Sequence, residues 1–418
     1  MNFKANISVG LVDAFLRSAT SLIFILFATR FLSLEAYGKY SHIIVIVSII
    51  WVIMEFGMDR TLVKYYLSDK NLPIVIVAIS IMYIIGVISF IIIYFFEIFS
   101  ESILFNFILF FVITSRAVTC IKYIVEAEQL FASLFKFQIA VNLILFVLKI
   151  AVIYYTQNSS ILLIVLCIEN LAHIFLVFLV LKRNHSVGKR YDFISDLKVI
   201  LKSGTPLLIA SLAVILYQRI DILMIKEYIS LEGVAVYTVA ARLIEAVYII
   251  PLLIQKLYQP KILSLSDESG RQKLYSSLYG WIFILSLLIF AFIMLIPSKL
   301  ISYALTQKYI LVSEVIAVYA FSLPFVFISL ANGVLINDTG KYHIVLEQTV
   351  LGLSMNVILN FALIPKYGMT GAAVASVIAH TAACLYFLVY RRNWVVFTYL
   401  KLGVLGAIKN DIIYKKNY

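Results

Sequence analysis

The sequence predicts an all-α integral membrane protein with about twelve transmembrane helices in two six-helix lobes. The first observation is composition: 63% of the 418 residues are hydrophobic and 13% are charged, with a mean hydropathy of +1.02. Soluble proteins carry about 25% charged residues, so half of the usual polar surface is missing. The second is a series of apolar stretches of about 20 residues, the length that a helix needs to cross a bilayer. The third is one basic polar segment, 182–202, which divides these stretches into two sets.

Each apolar stretch is predicted to form one transmembrane helix. The predicted spans are 9–32, 40–57, 73–96, 102–121, 134–155, 160–181, 203–225, 234–257, 274–296, 312–335, 342–364 and 370–390. The predicted organisation is an N-terminal lobe at 1–181, a cytoplasmic basic linker at 182–202, a C-terminal lobe at 203–390 and a basic cytoplasmic amphipathic tail at 391–418.

The distribution of Lys and Arg predicts that both termini are cytoplasmic. Of the 34 Lys and Arg residues, 23 fall in segments on the side of the termini, six on the opposite side and five within spans. Cytoplasmic loops of membrane proteins are enriched in Lys and Arg, so the asymmetry orients the chain. It also accounts for the net charge of +12 without a nucleic-acid partner.

Matching segments indicate that the two lobes arose by internal duplication. SLEAYGKY at 33–40 resembles SLEGVAVY at 230–237, and NLILF at 142–146 resembles NVILN at 356–360. The matches occur in corresponding spans and in the same order. Duplicated lobes are a known transporter design, with the binding site at the interface of the repeats.

The second half is predicted to contain the more bent helices, because Pro206, Pro251 and Pro324 fall inside its spans. The tail is too short and too interrupted for a further span. We expect it to form an interfacial helix with Trp394 and Tyr399 at headgroup depth.

Charged side chains inside the spans are the candidate functional residues. Near the bilayer centre each costs about 2.5–3.5 kcal/mol, so it needs a partner, a wet cavity or a function. The cations are Arg17, Arg116, Lys149, Arg219 and Arg242, and the acids are Asp13, Glu169, Asp221 and Glu245, with Glu55 close to an inner end.

Helical spacing predicts two ion pairs within single helices. Asp13 lies four residues before Arg17, and Arg242 lies three residues before Glu245, so each pair can share a helix face. A single pair of this kind is equally compatible with a structural tie that neighbouring side chains satisfy. The five cations taken together favour a cavity that attracts an anion, since guanidinium groups suit bidentate contact with phosphate.

The second interpretation gives two sets of candidate site residues. The expected substrate-binding residues of a cationic cavity are Arg17, Arg116, Lys149, Arg219 and Arg242. The candidates for coupling to an ion or a proton are Asp13, Glu169, His173 and Asp221. Glu169 and His173 are four residues apart and place an acid beside a titratable imidazole.

Patterns typical of enzymes are absent from the sequence. It contains no Walker A motif, no HExxH and no dinucleotide-binding glycine motif in a suitable context. Its three cysteines lie in apolar spans and form no CxxC pair. We therefore expect no enzymatic activity, no cofactor and no metal site.

One stretch resembles a known family of transporters. The segment 363–380 reads LIPKYGMTGAAVASVIAH and has the core YGxxGAA. It resembles the segment that leads into span 12 of the Wzx-type O-antigen and capsular polysaccharide flippases. These flippases belong to the MOP exporter superfamily. RFLSLEAYGKY at 30–40 and YQRIDILMIKEYISLEGVAVYTVAARLIE at 217–245 are also similar to that family.

The resemblance implies a MATE-like fold and a function. Such a protein exports undecaprenyl-diphosphate-linked oligosaccharide repeat units across the bacterial inner membrane by alternating access of two lobes. It implies contact with membrane lipid, a coupling cation or proton, and the polymerase and chain-length proteins of the same pathway as partners. Cavity cations in the family are thought to bind the diphosphate and sugar acids.

Three alternatives stay open. A multidrug or cation antiporter of the same superfamily would favour an acidic cavity, and an O-antigen polymerase would need a long outer loop, whereas the outer connections here are short. A passive membrane assembly subunit is the third.

Overall fold

The computed structural model describes residues 3–58, 61–63, 72–99, 102–123, 131–181, 193–391 and 393–408. Within these ranges the chain is helical and contains no strand, which confirms the predicted fold class. The helices are α1 (Phe3–Phe31), α2 (Leu34–Glu55), α3 (Leu72–Phe95), α4 (Ile103–Ser115), α5 (Phe131–Thr156), α6 (Ser159–Leu181), α7 (Phe193–Tyr228), α8 (Leu231–Ala246), α9 (Ile249–Ser264), α10 (Glu268–Leu295), α11 (Ser298–Leu305), α12 (Val312–Tyr319), α13 (Leu323–Thr339), α14 (His343–Leu385) and α15 (Val395–Ile408).

Every predicted span overlaps one or two of these helices. In the described part of the chain, nine helical stretches are long and apolar enough to cross a membrane. The longest, His343–Val389, contains both of the last two predicted spans, and shorter apolar helices lie at Ser18–Phe31, Ser160–Phe175 and Val395–Gly406. Helix α7 begins at Phe193, inside the predicted linker, where Asp196 in the first turn complements the helix dipole.

The last two spans are separate helices joined at Gly368. This residue has φ 61° and ψ −139°, a conformation that is open essentially to glycine alone. Three residues on, Gly371 approaches the carbonyl of Leu363 so closely that a side chain at this position would collide with it. The YGxxGAA segment therefore forms the tight turn between two packed helices.

Proline and helix breaks coincide in two spans of the second half. The predicted span at 234–257 divides into α8 and α9 just before Pro251, and the span at 312–335 divides into α12 and α13 just before Pro324. Proline lacks the N–H that an unbroken helix requires, which explains both interruptions. Pro206 lies inside the continuous helix α7.

The chain forms two compact units. The first comprises Met1–Asp13 and Ile23–Leu216, and the second comprises Ala14–Leu22 and Tyr217–Tyr418. The predicted division at 182–202 stays a prediction, because residues 182–192 lie outside the described residues. The core of the first unit contains fully buried Met54, Met58 and Met82, with Leu109 and Ile113 of α4.

The tail forms helix α15, which packs against α10 in the second unit. A Cβ on Gly280 would lie 2.5 Å from the backbone of Gly403, so the two helices cross with their backbones in contact. Tyr399 stacks on Tyr275 at 5.2 Å between ring centroids, and on Tyr279 at 6.0 Å. Its depth in a bilayer remains a prediction, and residues 409–418 lie outside the described part.

We predict that Gly403→Leu destabilises the second unit, because any side chain at 403 collides with the carbonyl oxygen of Ser276. Overpacking of this kind costs about 1–3 kcal/mol. The measurement is the midpoint of thermal unfolding in detergent. Gly406→Leu is the matched control, since nothing lies within 4 Å of a Cβ at that position. Equal midpoints for the two variants would contradict the contact.

Candidate functional site

Four of the five cations predicted to line the cavity form ion pairs with carboxylates. Arg116 follows directly on α4, Lys149 lies on α5, Arg219 on α7 and Arg242 on α8. Each lies within 4 Å of a glutamate: Glu55, Glu169 or Glu245. The predicted Asp13–Arg17 pair falls in α1 at positions whose side chains lie outside the described part of the structure.

The second unit contains a cluster in which two arginines share one glutamate. The Arg219 guanidinium donates to both carboxylate oxygens of Glu245, with Nη1–Oε1 at 2.9 Å and Nη2–Oε2 at 3.3 Å. Arg242 Nη1 donates to the same Oε2 at 3.4 Å, which confirms the pair predicted from helical spacing. Arg219 is 12% exposed and Arg242 is 36% exposed. These three side chains, the arginine cluster, carry one net positive charge.

Asp221 lies two residues after Arg219 and is held by a separate set of partners. Tyr237 on α8 donates its hydroxyl to Asp221 Oδ2, and the Ile222 amide donates to Oδ1 at 2.8 Å. Ser376 Oγ lies 3.5 Å from Oδ2. Arg219 and Asp221 thus both depend on partners from neighbouring helices.

The partners of Asp221 extend into a buried chain of polar groups on α14. Asn356 donates its Nδ2 to Ser376 Oγ at 3.1 Å, and Asn360 donates its Nδ2 to Asn356 Oδ1 at 2.8 Å. All of these side chains are buried, and Asn360 Oδ1 accepts no hydrogen bond from the described residues. We call Asp221, Tyr237, Asn356, Asn360 and Ser376 the asparagine network.

The oxygen atoms of the asparagine network suit a small hard cation or a proton. They comprise a carboxylate, hydroxyls and amide carbonyls, the ligand types that hard cations prefer. Within the described residues no group of three or more His, Cys, Asp or Glu could hold a metal ion. A single carboxylate among neutral oxygens compensates one positive charge, which favours a monovalent ion over a divalent one.

His380 lies beside this region and is satisfied by a neighbouring tyrosine. Its Nδ1 lies 2.8 Å from the Tyr217 hydroxyl, and the Tyr319 ring meets it edge-on at 6.4 Å. Tyr217 in turn fills the space over Gly352, where a Cβ would lie 2.8 Å from the phenol ring. These contacts are those of a residue that packs between helices.

The first unit contains a second carboxylate that is shared by two cations. Arg116 Nη2 donates to Glu55 Oε1 at 2.7 Å, and Lys122 Nζ lies 3.8 Å from the same oxygen. The Arg116 guanidinium also lies over the Trp51 ring, 4.9 Å from its centroid, in a cation–π contact. As in the arginine cluster, two cations share one glutamate.

Lys149 and Glu169 form a one-to-one pair between α5 and α6 of the first unit. Lys149 Nζ lies 2.5 Å from Glu169 Oε2. The neighbouring Asn170 donates its Nδ2 to Ser115 Oγ at 2.9 Å and ties α6 to α4. Glu169, which the sequence placed beside His173, therefore has a cation from another helix as its closest charged partner.

The structure brings the candidates together in part. Arg219, Arg242 and Asp221 lie close together in the second unit, while Arg116 and Lys149 belong to separate pairs in the first. Sequence reasoning named Glu55 and Glu245 but did not predict that each of them pairs with two cations. It also missed the asparagine network, although the spacing of Asn356 and Asn360 by four residues places them on one helix face.

The fold is similar to solved transporters of one superfamily. The lipid II flippase MurJ in an inward closed conformation aligns with a TM-score of 0.70 and 14% identity, over 98% of this chain and 93% of that chain. An inward-facing multidrug resistance MATE family transporter of the MOP superfamily aligns with a TM-score of 0.65 and 14% identity, over 91% and 94%. At these identities the likeness concerns the fold alone.

Sequence comparison gives a partial relative and a family. An uncharacterised membrane protein of Methanocaldococcus jannaschii is 27% identical over 117 residues, which is 27% of this chain and 23% of that protein. The family model described as polysaccharide biosynthesis protein matches residues 3–256, more than half of the chain. This multi-pass membrane protein therefore belongs to the polysaccharide biosynthesis protein family.

Proposed function

We propose that the protein is a flippase that exports undecaprenyl-diphosphate-linked oligosaccharide repeat units, of O-antigen or capsule type, across the bacterial inner membrane. It works by alternating access, coupled to an ion or proton gradient. The observation that carries the proposal is the arginine cluster: in a chain of this family, two guanidinium groups lie inside membrane helices around one carboxylate.

The geometry of the arginine cluster suits the diphosphate. A guanidinium presents paired N–H donors that match two phosphate oxygens. Glu245 holds the Arg219 guanidinium through both of its terminal nitrogens, so its orientation is fixed before any ligand arrives. Arg242, the more exposed of the two, is placed for first contact. The polar headgroup would cross in a wet cavity while the prenyl chain stays in lipid.

The asparagine network is our candidate for ion coupling. Asp221 lies two residues from Arg219 on α7, so a cation or proton at Asp221 changes the electrostatic potential felt by an anion bound at Arg219. Asp221 is thereby favoured over the other coupling candidates. Glu169 is already paired with Lys149. Asp13, whose side chain lies outside the described part of the structure, and His173 stay candidates from the sequence.

A multidrug or cation antiporter is the second candidate. The fold likeness to a multidrug transporter favours it, as does the buried carboxylate of Asp221, which suits a cation. In such an antiporter the cavity charge would be acidic. A polymerase or a passive assembly subunit has weaker support, because the connections between spans are short. Polymerase and chain-length proteins of the same pathway remain proposed partners.

We predict that Arg219→Ala loses flipping. Removing one partner of a buried charge pair costs about 2–5 kcal/mol, and it removes a proposed diphosphate contact. Arg219→Lys should retain part of the activity, because it keeps the charge but not the paired donors. The assay is complementation of a bacterium that lacks its own O-antigen flippase, with surface polysaccharide read on a gel and membrane level checked.

Lys226→Ala is the control for Arg219→Ala. It removes a cation from the same helix, where Lys226 pairs, among the described residues, with the adjacent exposed Glu227. This control should restore surface polysaccharide as the wild type does. Full activity of Arg219→Ala at a normal membrane level would remove Arg219 from the site.

We predict that Asp221→Asn abolishes the response of the purified protein to its coupling ion. A ligand at roughly a hundred times its Kd adds about 2.7 kcal/mol of stability. Sodium, in place of choline at equal ionic strength, or a lower pH should therefore raise the midpoint of thermal unfolding of the wild type. Asp221→Asn should lose the response and Glu227→Gln should keep it. An unchanged response of Asp221→Asn would exclude the asparagine network as the coupling site.

A further inference from the structure

The two connections that flank helix α10 differ in chemistry. Helix α10 is long and apolar enough to cross a membrane, so its two ends lie at opposite membrane surfaces. The connection before it is polar: Ser266 is exposed, and the Asp267 carboxylate accepts hydrogen bonds from two backbone amides of the first turn. The connection after it contains the short helix α11, which exposes large apolar side chains.

Helix α11 has one face that the protein covers and one that it leaves exposed. Leu305 is buried, whereas Leu300 is 57% and Tyr303 is 89% exposed. Two residues correspond to about 200° around a helix, so Tyr303 and Leu305 lie on opposite sides. Leu300 and Tyr303 lie outside the two flanking membrane-length stretches, which end at Leu295 and begin at Gln307. Connections in water are ordinarily polar, because exposed apolar area is unfavourable there.

The exposed face of α11 combines apolar and cationic groups. Lys299 is exposed and lies four residues before Tyr303, so the two side chains are neighbours on the helix surface. Lys308, just beyond the helix, is also exposed. Tyrosine rings favour the headgroup depth of a bilayer, and a lysine lays its apolar stem along that layer while its ammonium reaches the phosphates. In charge and in polarity this face therefore matches a surface of anionic lipid.

The turn after α11 fixes the orientation of the helix. Thr306 has φ 83° and ψ 155°, a conformation that is open essentially to glycine alone. Such backbone strain persists only where the surrounding packing imposes it. Buried Leu305 and buried Tyr309, on either side of Thr306, provide that packing. The exposed face of α11 is thus oriented by the protein itself.

We propose that α11 is an interfacial helix that docks on the headgroup layer of the bilayer. Leu300 and Tyr303 lie at the boundary of the acyl chains, and Lys299 and Lys308 bind phosphate groups of anionic phospholipids. By the predicted topology this is the leaflet on the side opposite the termini, which under the proposed function receives the exported lipid. The docking itself does not depend on which substrate the protein moves.

The first test locates α11 relative to lipid and water. Full-length Tyr303→Cys, labelled with an environment-sensitive fluorophore, is placed in phosphatidylcholine nanodiscs, and unsubstituted protein gives the background from the native cysteines. A nitroxide near the top of the lipid acyl chains should quench the label, and iodide in water should not. Ser266→Cys, at the other end of α10, is the matched control and should give the reverse result. Leu300→Cys replaces Tyr303→Cys if that variant does not fold.

The second test measures the preference for anionic lipid at the same label. Nitroxide-bearing phosphatidylglycerol and nitroxide-bearing phosphatidylcholine are compared as trace quenchers. Each lysine beside an anionic surface favours the anionic lipid by about fivefold, so phosphatidylglycerol should quench more strongly. Lys299→Gln combined with Lys308→Gln should bring the two lipids to equal quenching. Lys256→Gln, which removes an exposed lysine of α9, should leave the preference unchanged.

Each outcome decides one part of the proposal. A label at 303 that iodide quenches and lipid does not would overturn the docking. A label that neither quencher reaches would show that protein covers this face, either a second copy or another partner, and would also overturn it. Equal quenching by the two lipids in the labelled protein, or a preference that survives loss of both lysines, would overturn the phosphate contact. None of these results bears on diphosphate binding at the arginine cluster.

Discussion

An ionised side chain inside a lipid-spanning helix is stable only beside an opposite charge or hydrogen-bond donors. Four cations of the described membrane helices obey this constraint through glutamates, most of them on a neighbouring helix. Asp221 obeys it through the hydroxyl of Tyr237. The same contacts that permit these charges in the membrane also fix which helices are neighbours. The stability of each unit and its candidate site therefore depend on one set of bonds.

The asparagine network and the arginine cluster meet on α7, where Arg219 and Asp221 stand two residues apart. The arginine cluster contacts α8 through Glu245, and the asparagine network contacts α8 through Tyr237 and α14 through Ser376. Spans in this unit are also divided before Pro251 and Pro324. A change in charge at either site thus acts on helices that are already segmented, which gives an ion gradient a physical means of influencing an anion site.

Hydropathy predicted the spans because the bilayer imposes one length on every helix, and proline predicted two breaks because its chemistry is local. The Arg242–Glu245 pair could be predicted for the same reason, because both residues lie on one helix. Three other bonds could not be predicted, since each joins different helices and depends on tertiary packing. They are Arg219–Glu245, Lys149–Glu169 and Asp221–Ser376. Charge counting found the residues, and only the fold could assign partners. Asn356 and Ser376 carry no charge, so counting charges inside the spans did not identify them as buried polar residues that need partners.

The central claim is that the ligand of this protein is an anion. A direct binding experiment with an anionic and a cationic ligand tests it. Native mass spectrometry of the detergent-solubilised protein with undecaprenyl diphosphate, and with the organic cation tetraphenylphosphonium, compares the two candidate functions. An anion site predicts a complex with undecaprenyl diphosphate that inorganic diphosphate displaces and tetraphenylphosphonium does not. A stable complex with tetraphenylphosphonium, and none with undecaprenyl diphosphate, would contradict the flippase account and favour the antiporter.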